Sequence, residues 1–150
     1  MENKELLARE LFRSGANCAQ AVFCSFADEF GFSRQEAMKL ASGFGAGMGR
    51  MREVCGAFSA LVMISNLRHG PESAQDKDGK DRQYRRIQLL AEKFKKQSGG
   101  SVICRELLNL SKETVSDPVS EKRSAEYYQK RPCVELVGLA AKLAEEELEL

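Results

Sequence analysis

GFGAGMGRMREVCGAFSALVM, residues 43–63, sets four glycines at alternate positions and two arginines directly ahead of a cysteine and a long apolar run. Its reading decides the fold. From residue 53 to 67 the apolar positions Val54, Ala57, Phe58, Leu61, Val62, Ile64 and Leu67 recur with a helical and not a two-residue period, so the run predicts a central helix that is apolar nearly all round. The run around Val54–Ile64 is about 11 residues long and is interrupted by Ser59, too short for a bilayer core that takes roughly 20 residues to cross.

The same period extends outward in both directions. Upstream, residues 3–13 carry Leu6, Leu7, Leu11 and Phe12 at helical spacing, ended by Ser14 and Gly15. Asn17 is placed to cap a second helix whose stripe is Cys18, Ala19, Val22, Phe23, Phe26 and Phe30, closed by Gly31. Ser33 with Glu36 three residues on forms a capping-box pattern ahead of Ala37, Met38, Leu40 and Ala41. Downstream, residues 69–81, HGPESAQDKDGKD, have the composition of a solvent loop. QYRRIQLLAEKFKKQ then predicts an amphipathic helix with Tyr84, Ile87, Leu90, Ala91 and Phe94 inward and Arg85, Arg86, Lys93, Lys95 and Lys96 outward, stopped by SGG. Ser101 caps VICRELLNL, a short helix follows near residues 120–130, and Pro132 begins a final helix running through Leu143 and beyond. The expected architecture is an all-α helical bundle, one domain over residues 1–150, with no internal repeat.

Bulk properties agree. A chain of 150 residues has the size of one domain and can bury about 70% of its unfolded surface. Hydrophobic residues make up 43% and charged residues 30%, as in an ordinary globular protein. Lys+Arg 23 against Asp+Glu 22 leaves a net charge of +1, so no whole-chain field draws the protein to nucleic acid or to a membrane. The opening MENKELLARELF has early glutamates and no uninterrupted apolar stretch, which sets an expectation of a cytoplasmic protein.

Five cysteines are then notable, because the count is odd and a cytoplasmic setting keeps thiols reduced. Four of them fall in the first turn of a predicted helix: Cys18 after Asn17, Cys55 after the glycines, Cys104 three residues past Ser101, and Cys133 after Pro132. A helix N-terminus presents unpaired N–H groups and about half a positive charge, which favours thiolate over thiol. Cys55, preceded by the glycines and arginines, is the expected reactive thiolate. Cys24 lies six residues after Cys18, roughly 120° around the same helix, and reads as a spectator.

No two cysteines show the close spacing of zinc ribbons or thioredoxin-like motifs, so any site must form by convergence in three dimensions. Cys18, Cys55, Cys104 and Cys133 meeting at one end of a bundle can make disulfides reversibly, or hold zinc or an iron–sulfur cluster through four thiolates. A third reading makes them inert core residues of a helical protein.

GFGAGMG superficially has a nucleotide-loop spacing, but QEAMKLAS before it is helical and no GK[ST] ending follows. The glycines instead predict either an irregular turn whose N–H groups, with Arg50 and Arg52, face an anion or thiolate, or simply a flexible connector between helices. Gly45, Gly47, Gly49, Arg50 and Gly56 are therefore the candidate cofactor-binding residues. Met48 and Met51 read as packing residues. His69, the single histidine, reads as a solvated loop residue that can still approach the thiols; the basic face from Arg85 to Lys96 and the acidic tail EEELEL read as solvated surface, and no motif points to flavin or nicotinamide.

NCAQAVF, GFGAGMGRMREVCGAFSALVM, CRELL and RPCVELV together resemble the redox-active C_GCAxxG_C_C family over about residues 14–145. The resemblance implies redox activity resting on four cysteines, which match Cys18, Cys55, Cys104 and Cys133, with Gly56 and Ala57 following the second. Cys24 lies outside the pattern. The motif's closing glycine is Ala60 in this chain. The resemblance names no electron donor, substrate or redox partner.

Overall fold

The computed structural model describes residues 3–113 and 116–149. The first two residues of the opening stretch and Leu150 of the acidic tail lie outside the described residues. The chain is all-α: α1 (Lys4–Arg13), α2 (Cys18–Phe26), α3 (Arg34–Ala41), a short turn α4 (Gly45–Met48) whose Ala46, Gly47 and Met48 have positive φ, α5 (Gly56–His69), α6 (Lys77–Ser98), α7 (Cys104–Leu107), α8 (Ala125–Lys130) and α9 (Cys133–Glu147). Among the described residues there is no strand, only an isolated antiparallel bridge between Val54 and Ile103.

Local chemistry accounts for several helix starts. Asn17 and Ser33 both form complete capping boxes, each side chain accepting from the third helical N–H while Gln20 or Glu36 returns to the cap's own N–H. Both satisfy backbone donors that a helix end leaves open. Ser101 behaves otherwise than expected. Its hydroxyl accepts from Ile103 N–H and donates to Glu106, and α7 begins at Cys104 with Ile103 in the cap position. The solvent loop is shorter than composition suggests, because Asp76 accepts from Gly79 N–H and starts α6 at Lys77.

The core is formed by α1 on α9 and α2 on α5, joined through α1 against α2 and α5 against α9. Phe12, Phe23, Phe26, Leu61, Ile64, Val137 and Leu143 fill it and are fully buried, each contributing about 1.5–3 kcal/mol by leaving water. α5 is central as expected, with Ala57, Phe58, Ala60, Leu61 and Ile64 buried, although Leu67 near its end is exposed. Ala60 buries its methyl completely, so the core accommodates a side chain where the motif has glycine. Gly138 of α9 lies under the Arg9 guanidinium of α1, where any Cβ would clash.

α6 packs on α5 and α9 through Leu90 and Phe94. Tyr84 is 64% exposed, against the inward orientation its spacing predicted, and Gln83 takes the buried place. The Gln83 amide donates to Ser65 Oγ at 3.1 Å and Asn66 Oδ1 at 2.9 Å on α5. Leu40 of α3 is likewise exposed and not inward. No helix among the described residues is long and apolar enough to cross a membrane.

Candidate functional site

Four helices begin at cysteines. Cys18, Cys104 and Cys133 are the first residues of α2, α7 and α9, and Cys55 caps α5. All four line one cavity of about 450 Å³, together with Phe12, Arg52, Glu121, Arg123, Tyr127 and Arg131 among others. All five cysteines are free thiols. Cys24 is buried away from the cavity wall and borders a separate pocket beside Leu7 and Phe32.

The bridge between Val54 and Ile103 brings two of the thiol-bearing segments side by side. Cys55 N–H donates to Val102 O at 2.7 Å and Cys104 N–H to Glu53 O at 2.6 Å. Cys18 is placed by its neighbour Asn17, whose Oδ1 accepts from Gln20 N–H and whose Nδ2 donates to Ser42 O at 3.0 Å, fixing α2 to the segment ahead of the glycines. A Cβ on Gly56 would stand 2.5 Å from Cys18 Sγ and 2.8 Å from Phe44 O. The absence of a side chain at residue 56 is what lets that sulfur lie against the start of α5.

The glycine-rich stretch makes a left-handed turn. Ala46, Gly47, Met48, Gly49 and Arg50 all have positive φ, between 55° and 71°, and Arg52 follows at 61°. For L-residues this conformation costs roughly 1–2 kcal/mol each, so contacts outside the turn must hold it. Arg52 N–H donates to Ala46 O and Glu53 N–H to Gly47 O at 2.8 Å, and Gly47 has no room for a Cβ against the backbone of Arg52 and Glu53. The backbone N–H groups of Ala46 in the turn, and of Ala19 and Ala57 at the starts of α2 and α5, each act to lower the pKa of the Cys18 thiol.

Of the predicted cofactor-binding residues, Gly45, Gly49, Arg50 and Gly56 line the cavity. Gly47 serves the turn behind it. Met48 and Met51 are 38% and 58% exposed and do not pack. His69 is the last residue of α5, about 20 Å along the helix from Cys55 at 1.5 Å per residue, and does not approach the thiols.

The electrostatics reverse one sequence expectation. Burial pushes the Cys55 thiol well up, reinforced by the neighbouring Cys18 and Cys104 charges, and the Phe58 and Ala57 N–H groups at the start of α5 only partly offset it. Burial also pushes Cys18 up against three N–H donors, and Cys133 is pushed up to about 12 by burial and by Cys18. Cys18 and Cys133 keep part of their surface open, but protein surrounds both sulfurs. A helix N-terminus stabilises a thiolate by far less than desolvation costs it here. Cys55 is therefore not the ready thiolate that its sequence neighbours suggest.

Cys104 has a cation at its sulfur. Arg52, 3% exposed, donates from Nη1 to Cys104 Sγ at 3.7 Å, from Nε to Ser116 Oγ at 3.0 Å, and pairs through Nη2 with Glu121 at 3.8 Å. Glu121 also pairs with Arg50 at 3.8 Å and with Arg131. Arg123 crosses the far wall, donating to Phe12 O and Ala16 O, both at 2.9 Å, with its guanidinium 4.4 Å from the Phe12 ring centre. Sequence reasoning passed over Glu121, Arg123 and Arg131. Only Arg131, two residues before Cys133, carried a local signal; the others stand in a polar connection with no period.

Among the described residues no three His, Cys, Asp or Glu side chains are grouped to hold a metal ion. The four thiols therefore offer zinc or an iron–sulfur cluster no preformed ligand set.

With this geometry in view, the family comparison has a structural counterpart. The family model described as "Putative redox-active protein (C_GCAxxG_C_C)" matches residues 16–147, and the chain belongs to that family. The matched stretch contains all four cavity cysteines. No curated protein and no solved structure matched the chain.

Proposed function

We propose that this chain carries out thiol–disulfide exchange through Cys18, Cys55, Cys104 and Cys133, as a single-domain cytoplasmic protein re-reduced by a separate redox partner. The observation that carries the reading is that four helices deliver four free thiols to one cavity, with the Arg52 guanidinium against one of them. Cys104 is the attacking thiol in this account, because its sulfur is the one that a guanidinium, that of Arg52, meets directly. The thiolate attacks a substrate disulfide, forming a mixed disulfide and releasing one substrate thiol. Cys18, which lines the same cavity and lies near enough to Cys104 to be influenced by its charge, resolves it. A protein disulfide forms and the second substrate thiol leaves, so the two electrons lost by the protein cysteines reduce the substrate disulfide.

The test is to equilibrate the full chain in buffers of graded thiol and disulfide content, then alkylate and weigh it. The expected result is loss of two alkylatable thiols per chain, reversed by dithiothreitol, abolished in Cys104→Ser and retained in Cys24→Ser. Five thiols persisting under oxidising buffer overturns thiol exchange and leaves the cysteines as inert core residues, whereas an unchanged disulfide in Cys104→Ser overturns the assignment of Cys104 as the attacking thiol.

A further inference from the structure

Glu121 is a carboxylate shared by three guanidiniums at the cavity wall. It pairs with Arg50 and Arg52, each at 3.8 Å, and with Arg131. It is carried by the irregular connection between α7 and α8, which is otherwise held to the turn by Asp117, whose carbonyl accepts from Arg50 Nε at 2.7 Å, and by Ser116 on Arg52. The lining of the cavity includes four arginines and a single acidic residue, Glu121. Arg123 is committed to backbone carbonyls and aromatic faces, but Arg50, Arg52 and Arg131 converge on one carboxylate. The Arg52 guanidinium joins two functions: one nitrogen meets Glu121 and another meets the Cys104 sulfur. An anion in the place of the Glu121 carboxylate would stand one guanidinium's breadth from that thiol.

We propose that the cavity takes a small disulfide bearing carboxylates, one of which displaces Glu121 from Arg50, Arg52 and Arg131 and brings the S–S bond to Cys104. This inference deepens the thiol-exchange reading and rests on it for the chemistry, but anion binding stands separately. Arginine forks match carboxylates in pairs of parallel hydrogen bonds, and a cavity of about 450 Å³ lies within the ordinary range for small-molecule sites, roughly 300–1,000 Å³. Exchange then proceeds as balanced above, with both carboxylate thiols released and two protein cysteines oxidised.

Two probe pairs separate binding from chemistry in the full-length reduced protein. Adipate is a sulfur-free analogue of dithiodiglycolate, and 1,6-diaminohexane bears the same relation to cystamine. By calorimetry adipate should bind and 1,6-diaminohexane should not. Glu121→Gln should tighten adipate by up to about fivefold, the scale of a partly exposed ion pair, and Arg131→Gln should weaken it by about tenfold or more. Absence of adipate binding, equal binding of the diamine, or weaker binding in Glu121→Gln overturns the proposal whatever the thiols do. Dithiodiglycolate should oxidise the protein faster than cystamine. Adipate binding with no oxidation by either disulfide overturns thiol exchange and with it the substrate assignment, while oxidation at equal rates overturns only the anion preference.

Discussion

Gly56 has no room for a side chain, since its missing Cβ would meet both the Cys18 sulfur and the Phe44 carbonyl. One of those neighbours is backbone and cannot rotate away. Gly56→Ala should therefore cost about 1–3 kcal/mol, as overpacking does, read as a lower urea midpoint. Gly43→Ala, where a Cβ meets nothing within 4 Å, should stay within about 0.5 kcal/mol of the parent. Equal midpoints for the two variants would remove the argument that Gly56 exists to admit the sulfur. The contrast makes a glycine in the four-cysteine pattern a packing requirement of the site, and Ala60 shows the opposite case, a motif position where a methyl is simply buried.

At the level of elements, the two capping boxes differ in what else they do. Ser33 caps α3 in solvent. Asn17 caps α2 and also donates to Ser42 O, so one side chain holds the Cys18 helix to the segment that leads into the left-handed turn. Ser33→Ala should cost about 1 kcal/mol, the usual value of a lost cap; Asn17→Ala should cost more, by about the further 1 kcal/mol of a second hydrogen bond. Denaturation midpoints with unchanged slopes would check this, and equal losses would show that the bond to Ser42 contributes nothing. Most elements were legible because their apolar period is strong: α1, α3, α5 and α9 fall where the pattern placed them, and α2 starts there but ends at Phe26, with Ala27–Phe30 tightened into a 3-10 turn before Gly31. The misses have local causes. The Asp76 cap compensates Gly79 inside α6, and composition cannot see that. Gln83 turns inward because partners 17 and 18 residues away receive its amide, and a one-residue rotation then exposes Tyr84.

For the molecule as a whole, burying several thiols makes stability depend on alkali. An unfolded cysteine ionises near its ordinary value of 9.0, whereas Cys133 in the folded protein keeps its proton to about 12, and Cys18 and Cys55 are shifted in the same direction. Between those values the folded state binds more protons than the unfolded one, so stability falls as pH rises; below 9 both states are protonated and the contribution is complete. Chemical denaturation followed from pH 8 to 11 should show the parent losing stability faster than Cys133→Ser. Parallel curves would mean that Cys133 ionises alike in both states. The cavity's cysteines were legible because each stands at a helix start, a feature of one-dimensional order. Arg50 and Arg52 were legible as the cations expected beside a thiol. Glu121 and Arg123 were not, because Arg52 and Glu121, 69 positions apart, meet only when the connection after α7 folds back over the turn.

That turn is, stereochemically, a fragment of a mirror-image protein. Residues 46–50 follow the path that D-amino acids would choose spontaneously, and three of the five are L-residues with side chains, Ala46, Met48 and Arg50. Its handedness is therefore borrowed from its surroundings: the Asp117 and Glu121 grip on Arg50 and the backbone bonds from Arg52 and Glu53. Arg50→Ala would remove that side-chain grip and leave the hand of the turn to the backbone bonds from Arg52 and Glu53 alone.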